Sequence, residues 1–166
     1  GMMWLKKAAD QGEKEAASEL GSYYEEFGQY SDAEKYLLKA CTLGGNFAYF
    51  NLGNHYMALD NAQMAEKYYK LAINLGPKGQ VESIHNLNIL YVRQMRITDS
   101  LVILRKGAEK YNDPYSQARL GEILYMFGAN CDEHPSQKDK SEGKKWIEKG
   151  AAGGDSYAIQ LLSEIK

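Results

Sequence analysis

Apolar and small residues recur along this chain at intervals of three and four, the spacing of a helix face turned toward a core. Between residues 14 and 27 the stripe is Ala16, Leu20, Gly21 and Tyr24. It returns as Ala48, Leu52, Gly53 and Tyr56, then as Ser83, Leu87, Asn88 and Tyr91, and again with Leu120, Gly121 and Leu124. Between these stripes lie segments of a second kind, the first carrying Trp4, Leu5, Ala8 and Ala9. The pattern predicts helices over 2–11, 14–27, 31–43, 46–58, 60–75, 81–94, 98–110, 113–128, 139–152 and 155–165. Gly28, Gly44-Gly45, Gly76-Pro77-Lys78-Gly79 and Gly153-Gly154 separate them, together with a polar insertion from Ala129 to Lys138. Start signals are expected at Ser31/Glu34, Asp60/Gln63 and Asp139/Glu142 as capping boxes, at Thr98 or Asp99, at Asp113-Pro114, and at Asp155.

The segments are also copies of one another. WLKKAADQGEKEAASELGSYY (Trp4 to Tyr24) returns as YLLKACTLGGNFAYFNLGNHY (Tyr36 to Tyr56). It is present in part as YYKLAINLG from Tyr68 and as WIEKGAAGGDSYAIQLL from Trp146. Corresponding positions Trp4, Tyr36, Tyr68, Ile103 and Trp146 are 32, 32, 35 and 43 residues apart. Self-similarity at this period marks a solenoid, in which each helix pair buries its stripe against the next. The expected fold is all-α, a right-handed α-α superhelix of antiparallel helix pairs forming a single array over 1–166. Its parts are a lone second helix (2–11), pairs at 14–44, 46–76, 80–111 and 113–153, and a closing helix (155–166). Small residues such as Ala16, Gly21, Ala40 and Cys41 let paired helices approach, while Leu20, Tyr24 and Tyr36 fill the space between pairs.

These residues resemble the Sel-1-like repeat family, a relative of the tetratricopeptide repeat. The phrase AA..G…A…LG places twelve residues between a second-helix small residue and the next leucine, as in Ala8 to Leu20, Ala40 to Leu52 and Gly150 to Leu162. Tetratricopeptide arrays use about two more residues there and place a proline in the turn. The copy over 76–112 departs from the pattern, since Asn88 replaces the glycine and Gly107-Ala108 replaces the alanine pair. The chain also lacks the per-repeat cysteines of some secreted members. The resemblance implies an adaptor or scaffold that holds a protein or peptide partner and performs no catalysis.

Composition adds exclusions. Apolar residues make up 44% and charged residues 25%, with thirteen tyrosines and three prolines among 166 residues, the profile of a helical globular chain. Twenty basic against twenty-two acidic side chains give a net charge of −2, which is no footprint for nucleic acid. No apolar run reaches the roughly 20 residues of a membrane span. The amphipathic start shows no signal peptide, and Gly1 before Met2 reads as an expression remnant, which leaves the position of the natural start open. Cys41 sits in a small-residue slot and is expected to be a buried thiol. With only Cys131 besides, no disulfide framework exists, which favours a reducing, cytoplasmic setting.

Candidate chemistry is sparse. Ser141-Glu142-Gly143-Lys144 matches S-x-x-K, but S-D-N and K-T-G are missing and Ser141 is expected in a helix's first turn. Cys131-Asp132-Glu133-His134 lacks the second ligand cluster that a zinc site needs. His55 is expected at the surface or at the boundary of the core and His85 opposite its helix's apolar stripe, and neither belongs to a catalytic order. No cofactor is implied. At about 100° per residue, four rows point away from the helix partner: Glu15, Ser18, Ser22, Glu25; Phe47, Phe50, Asn54, Met57; Glu82, His85, Ile89, Val92; and Tyr115, Ala118, Glu122, Tyr125. If these rows line a concave groove, Phe50, Asn54, His85, Ile89, Glu122 and Tyr125 are the partner contacts. The alternative is that Phe47, Phe50 and Ile89 pack between neighbouring first helices. A second use of the array, as a structural module, is self-association through the N-terminal helix, where Met3, Trp4 and Leu5 lack a covering partner.

Overall fold

The computed structural model describes residues 2–45, 47–76, 78–131 and 134–165. Gly1, the helix start expected at Asn46, the break at Pro77, the Asp132-Glu133 portion of the cysteine–histidine run and Lys166 lie outside them. The described residues form ten α-helices and no strand: α1 (Met2–Asp10), α2 (Lys14–Glu26), α3 (Tyr30–Thr42), α4 (Ala48–Ala58), α5 (Ala62–Leu75), α6 (Gln80–Arg93), α7 (Ile97–Lys110), α8 (Pro114–Phe127), α9 (Gln137–Ala152) and α10 (Ser156–Glu164). The chain divides into two compact units, Gly1–Ser83 and Ile84–Lys166.

The loops repeat a single device. Gly12, Gly28, Gly44 and Asp60, sixteen residues apart, all have positive φ, as do Met95 and Gly154. Behind each, the next amide donates to the carbonyl five residues back: Glu13 to Ala8, Gln29 to Tyr24, Gly45 to Ala40, Asn61 to Tyr56, Arg96 to Tyr91 and Asp155 to Gly150. This is the Schellman ending, which needs one left-handed residue and turns the chain sharply after each helix. It also corrects three expected starts. Asp60 is the left-handed residue that ends α4, so Asn61 caps α5 instead, its side chain accepting from the Met64 amide. The first turns of α3 and α7 begin at Tyr30 and Ile97, which puts Ser31, Thr98 and Asp99 inside the helices, with no side-chain cap at Gln29 or Arg96. The last expected box is displaced too: Ser136 and Asp139 form it, and α9 starts at Gln137. Asp113 and Asp155 cap α8 and α10 as their sequence signals indicated.

In the first unit, α1 packs on α2, α2 on α3, α3 on α4, α4 on α5 and α2 on α4. Leu20, Leu37, Leu52 and Tyr69 are its largest buried apolar side chains. Tyr24 stacks on Tyr36 at 5.6 Å and, one repeat later, Tyr56 stacks on Tyr68 at 5.3 Å. Helix approach is set by missing side chains. A methyl group at Gly53 would lie 2.5 Å from the Tyr69 ring. In the second unit α8 packs on α7, α9 and α10, and α9 on α10. There the contact is backbone to backbone, since a Cβ at Gly121 would lie 2.6 Å from the Gly143 carbonyl oxygen, and one at Gly143 the same distance from that of Gly121. Gly143 of the S-x-x-K match is therefore a packing residue. Ser141, expected in a first turn, is exposed beyond it.

Two buried-residue expectations change. Cys41 is half-buried, not fully buried, and burial pushes its thiol up to about 11, so it stays protonated and unreactive at neutral pH. His55, expected at the surface or at the boundary of the core, is 0% exposed. It follows Leu52 by three residues and so shares the face of Leu52 and Tyr56. Its ring nitrogens make no hydrogen bond, and Nδ1 stands 3.6 Å from Glu25 Oε1, a distance of loose ion pairing. Burial raises the Glu25 carboxyl above its ordinary range, with His55 partly opposing the rise.

A buried polar ring without hydrogen bonds costs about 1–3 kcal/mol. Replacing His55 with leucine is therefore expected to raise stability by about 1 kcal/mol, read as a higher urea midpoint at unchanged slope. A clear fall in the midpoint would contradict the unsatisfied state of the imidazole.

Candidate functional site

In the second unit, α6 and α8 enclose an open cavity of about 580 Å³. Ile89, Val92 and Arg93 of α6 form one wall, and Tyr115, Arg119, Glu122, Ile123 and Phe127 of α8 form the other. Asn88, Met95, Ile97 and Cys131 complete the lining. Among the described residues nothing covers the apolar side chains: Ile89 is 42% exposed and Val92 45%. The cavity size falls within the range of small-ligand and side-chain pockets.

The α8 wall is held by a polar cluster. Glu122 accepts hydrogen bonds from Arg119 at 3.1 Å and from the Tyr157 hydroxyl of α10. The Arg119 guanidinium lies 3.8 Å from the Tyr157 ring centroid and 5.6 Å from that of Tyr115, a cation–π sandwich. Burial, and then the bond to Glu122, raise the Tyr157 hydroxyl above its usual range. Burial works against the Arg119 charge, but Glu122 outweighs it and keeps the guanidinium protonated.

The α6 wall is anchored from below. Asn88 donates to the Tyr115 hydroxyl at 3.0 Å and accepts from Ser100 at 2.6 Å, so the residue that replaces the repeat glycine ties three helices together. His85 Nε2 lies 2.8 Å from Asp113 Oδ2, and its ring packs on Tyr115 at 4.2 Å. The same Asp113 oxygen accepts from the Ser116 amide at 2.8 Å and from its hydroxyl at 2.6 Å. Burial would push the Asp113 carboxyl up, but the bonds from His85 and Ser116 prevail and hold it below the ordinary carboxylate range.

Of the six sequence-derived contacts, four lie in the second unit and two in the first. Ile89 and Glu122 line the cavity. His85 belongs to the anchoring network beside it. Tyr125 packs against the cluster of Ala118, Ile147 and Ala158. Ala118, expected to point away from the helix partners, is buried, with the α9 backbone close at Gly150. In the first unit Phe50 is half-buried, 6.2 Å from the Tyr69 ring, and Asn54 accepts from the Tyr69 hydroxyl at 2.8 Å. Row geometry missed Arg119 and Ile123, which lie between the chosen helical positions, and Arg93 and Phe127, which lie just beyond the ends of their rows. The signal for them was present as a dense apolar and arginine content on one side of α6 and α8. Among the described residues no group of three or more metal-ligating side chains exists, and no helix is long and apolar enough to cross a membrane.

Asp113→Asn retains a capping side chain but removes the charge that faces His85. A carboxyl held below its unfolded value of about 3.9 contributes stability above that pH, and the contribution disappears as the pH falls through the lower folded value. Wild type is expected to exceed the variant by about 1 kcal/mol near neutrality, with the gap closing below about pH 4. Urea unfolding across pH reads the difference. A gap that persists unchanged into acid would contradict this role for Asp113.

A tetratricopeptide-repeat family model matches residues 14–43 and 48–78. No curated protein matches the chain. Ten solved chains match its fold. One, YrrB, is described as a tetratricopeptide-repeat protein with an unusual peptide-binding site; it is 15% identical, with 96% of this chain and 97% of that chain covered and a TM-score of 0.56. The chain is all-helical among its described residues and has the fold of a tetratricopeptide-type helical-repeat solenoid.

Proposed function

We propose that the protein is a non-catalytic interaction module, an adaptor or scaffold that binds a segment of a partner protein in the α6–α8 cavity. The observation that carries this reading is the unfilled apolar wall formed by Ile89, Val92, Ile123 and Phe127. Exposed apolar surface on a rigid, hydrogen-bonded frame is the physical basis of peptide recognition between helices. Tetratricopeptide repeats generally serve protein interaction, and YrrB, a fold relative, is described as having a peptide-binding site. Ile89 is the proposed contact, with Val92 and Phe127 beside it, while Glu122 lines the wall with both carboxylate oxygens already held by Arg119 and Tyr157. His85 holds the frame. Phe50 and Asn54 remain proposed contacts within the first unit, where the Tyr69 hydroxyl already orients Asn54. The finer subtype, Sel-1-like, rests on the twelve-residue interval between small residue and leucine.

The second reading is self-association. Met3 and Trp4 of α1 are 80% and 72% exposed, whereas Leu5 is half-buried against the first unit's core.

Affinity capture from the native cell extract separates the two, with wild type beside an Ile89→Gln/Val92→Gln double variant. Both side chains are exposed, so helicity and melting are expected to stay unchanged. Removing two apolar anchors is expected to weaken partner binding by more than about tenfold. Equal recovery by both proteins would contradict the cavity as the binding surface. Recovery of nothing but the chain itself would favour self-association through Met3 and Trp4.

A further inference from the structure

We propose that the segment bound in the α6–α8 cavity is acidic: it places a large apolar side chain against Ile89 and Val92 and a carboxylate against Arg93. This inference rests on the reading of the cavity as a binding surface and adds the chemistry of the occupant.

Three charged side chains border the cavity: Arg93, Arg119 and Glu122. Two of them neutralise each other. Arg119 donates to Glu122 at 3.1 Å, and the Tyr157 hydroxyl occupies the other carboxylate oxygen. Stacking on Tyr157 further fixes the guanidinium. Neither group is available without dismantling a partly buried cluster. Arg96, just beyond α6, is also committed, to Asp99 at 2.7 Å and to Gln94 at 3.0 Å.

Arg93 differs. It is exposed, and among the described residues it has no hydrogen bond or ion pair. It follows Ile89 by one helical turn, so the two side chains emerge from one face of α6. The border of the cavity therefore carries one uncompensated positive charge directly beside an exposed apolar wall. A basic segment would set like charge against Arg93, and a neutral one would leave its charge unmatched. An acidic segment matches both features together, the apolar wall and the cation above it.

The test uses the full chain and three sets of short peptides, acetylated, amidated and fluorescein-labelled. Each carries a central Leu or Phe, with flanks of Glu and Ser, Gln and Ser, or Lys and Ser. Fluorescence anisotropy measures binding to wild type, to Arg93→Glu and to Ile89→Gln/Val92→Gln, with circular dichroism confirming equal helicity. Wild type is expected to bind the glutamate set roughly threefold more tightly than the glutamine set, with the lysine set weakest and the preference shrinking as salt rises. Arg93→Glu is expected to invert the order of the glutamate and lysine sets. The apolar double variant is expected to weaken all three. Equal affinity for the three sets, lost in the double variant, would overturn the charge preference and leave the cavity as a binding surface. Absence of binding by any set to wild type would overturn the cavity reading and this inference with it, and sedimentation of the unliganded chain would then show whether a second copy covers the face.

Discussion

Everything in the second unit depends on how closely α8 and α9 approach, and two glycines set that distance. At Gly121 and Gly143 no side chain separates the backbones, and a methyl group on either would press into the other's carbonyl oxygen. The first unit uses the same device less severely, with Leu37 against Gly21 and Tyr69 against Gly53. A repeat protein has no central core. Each helix pair is stable only insofar as it presses its stripe onto its neighbour. Close packing at the glycines lets the large residues (Leu20, Leu52, Leu120) meet across the pair, where apolar burial stabilises by about 25 cal/mol per Å². It also fixes α8 firmly enough to carry the Arg119–Glu122–Tyr157 cluster on one side and the cavity wall on the other.

The fold was legible because its rules are local. Stripes at helical spacing identified the helices, and glycines at a sixteen-residue interval marked their ends. What the sequence left ambiguous was which of two adjacent polar residues ends one helix and which begins the next. Asp60 and Asn61 are both acceptable as caps and as left-handed residues; the structure uses Asp60 for the turn and Asn61 for the cap. His55 shows a second limit. Polarity placed it outside, whereas its spacing from Leu52 places it inside, and geometry prevailed over a side chain that finds no hydrogen bond there.

The candidate site was legible only in part. Positions counted from the stripe leucine found Ile89 and Glu122 but included Ala118 and Tyr125, which the approach of α9 and α10 draws into packing. Pairing of charges was beyond reach of the sequence. Arg93 and Arg119 read alike as letters, yet one is clamped between two tyrosines and a carboxylate and the other stands in solvent. Which arginine can meet a partner follows from neighbours contributed by α10, more than thirty residues away in the chain.

The most direct measurement is the urea unfolding of Gly121→Ala against wild type. Helix propensity alone favours alanine over an interior glycine by about 1 kcal/mol, whereas forcing a methyl group into a close-packed crossing costs about 1–3 kcal/mol. If helix approach at Gly121 governs the packing of α8 on α9, the midpoint falls although the residue is the better helix former. A midpoint that rises, as propensity by itself requires, would contradict the account.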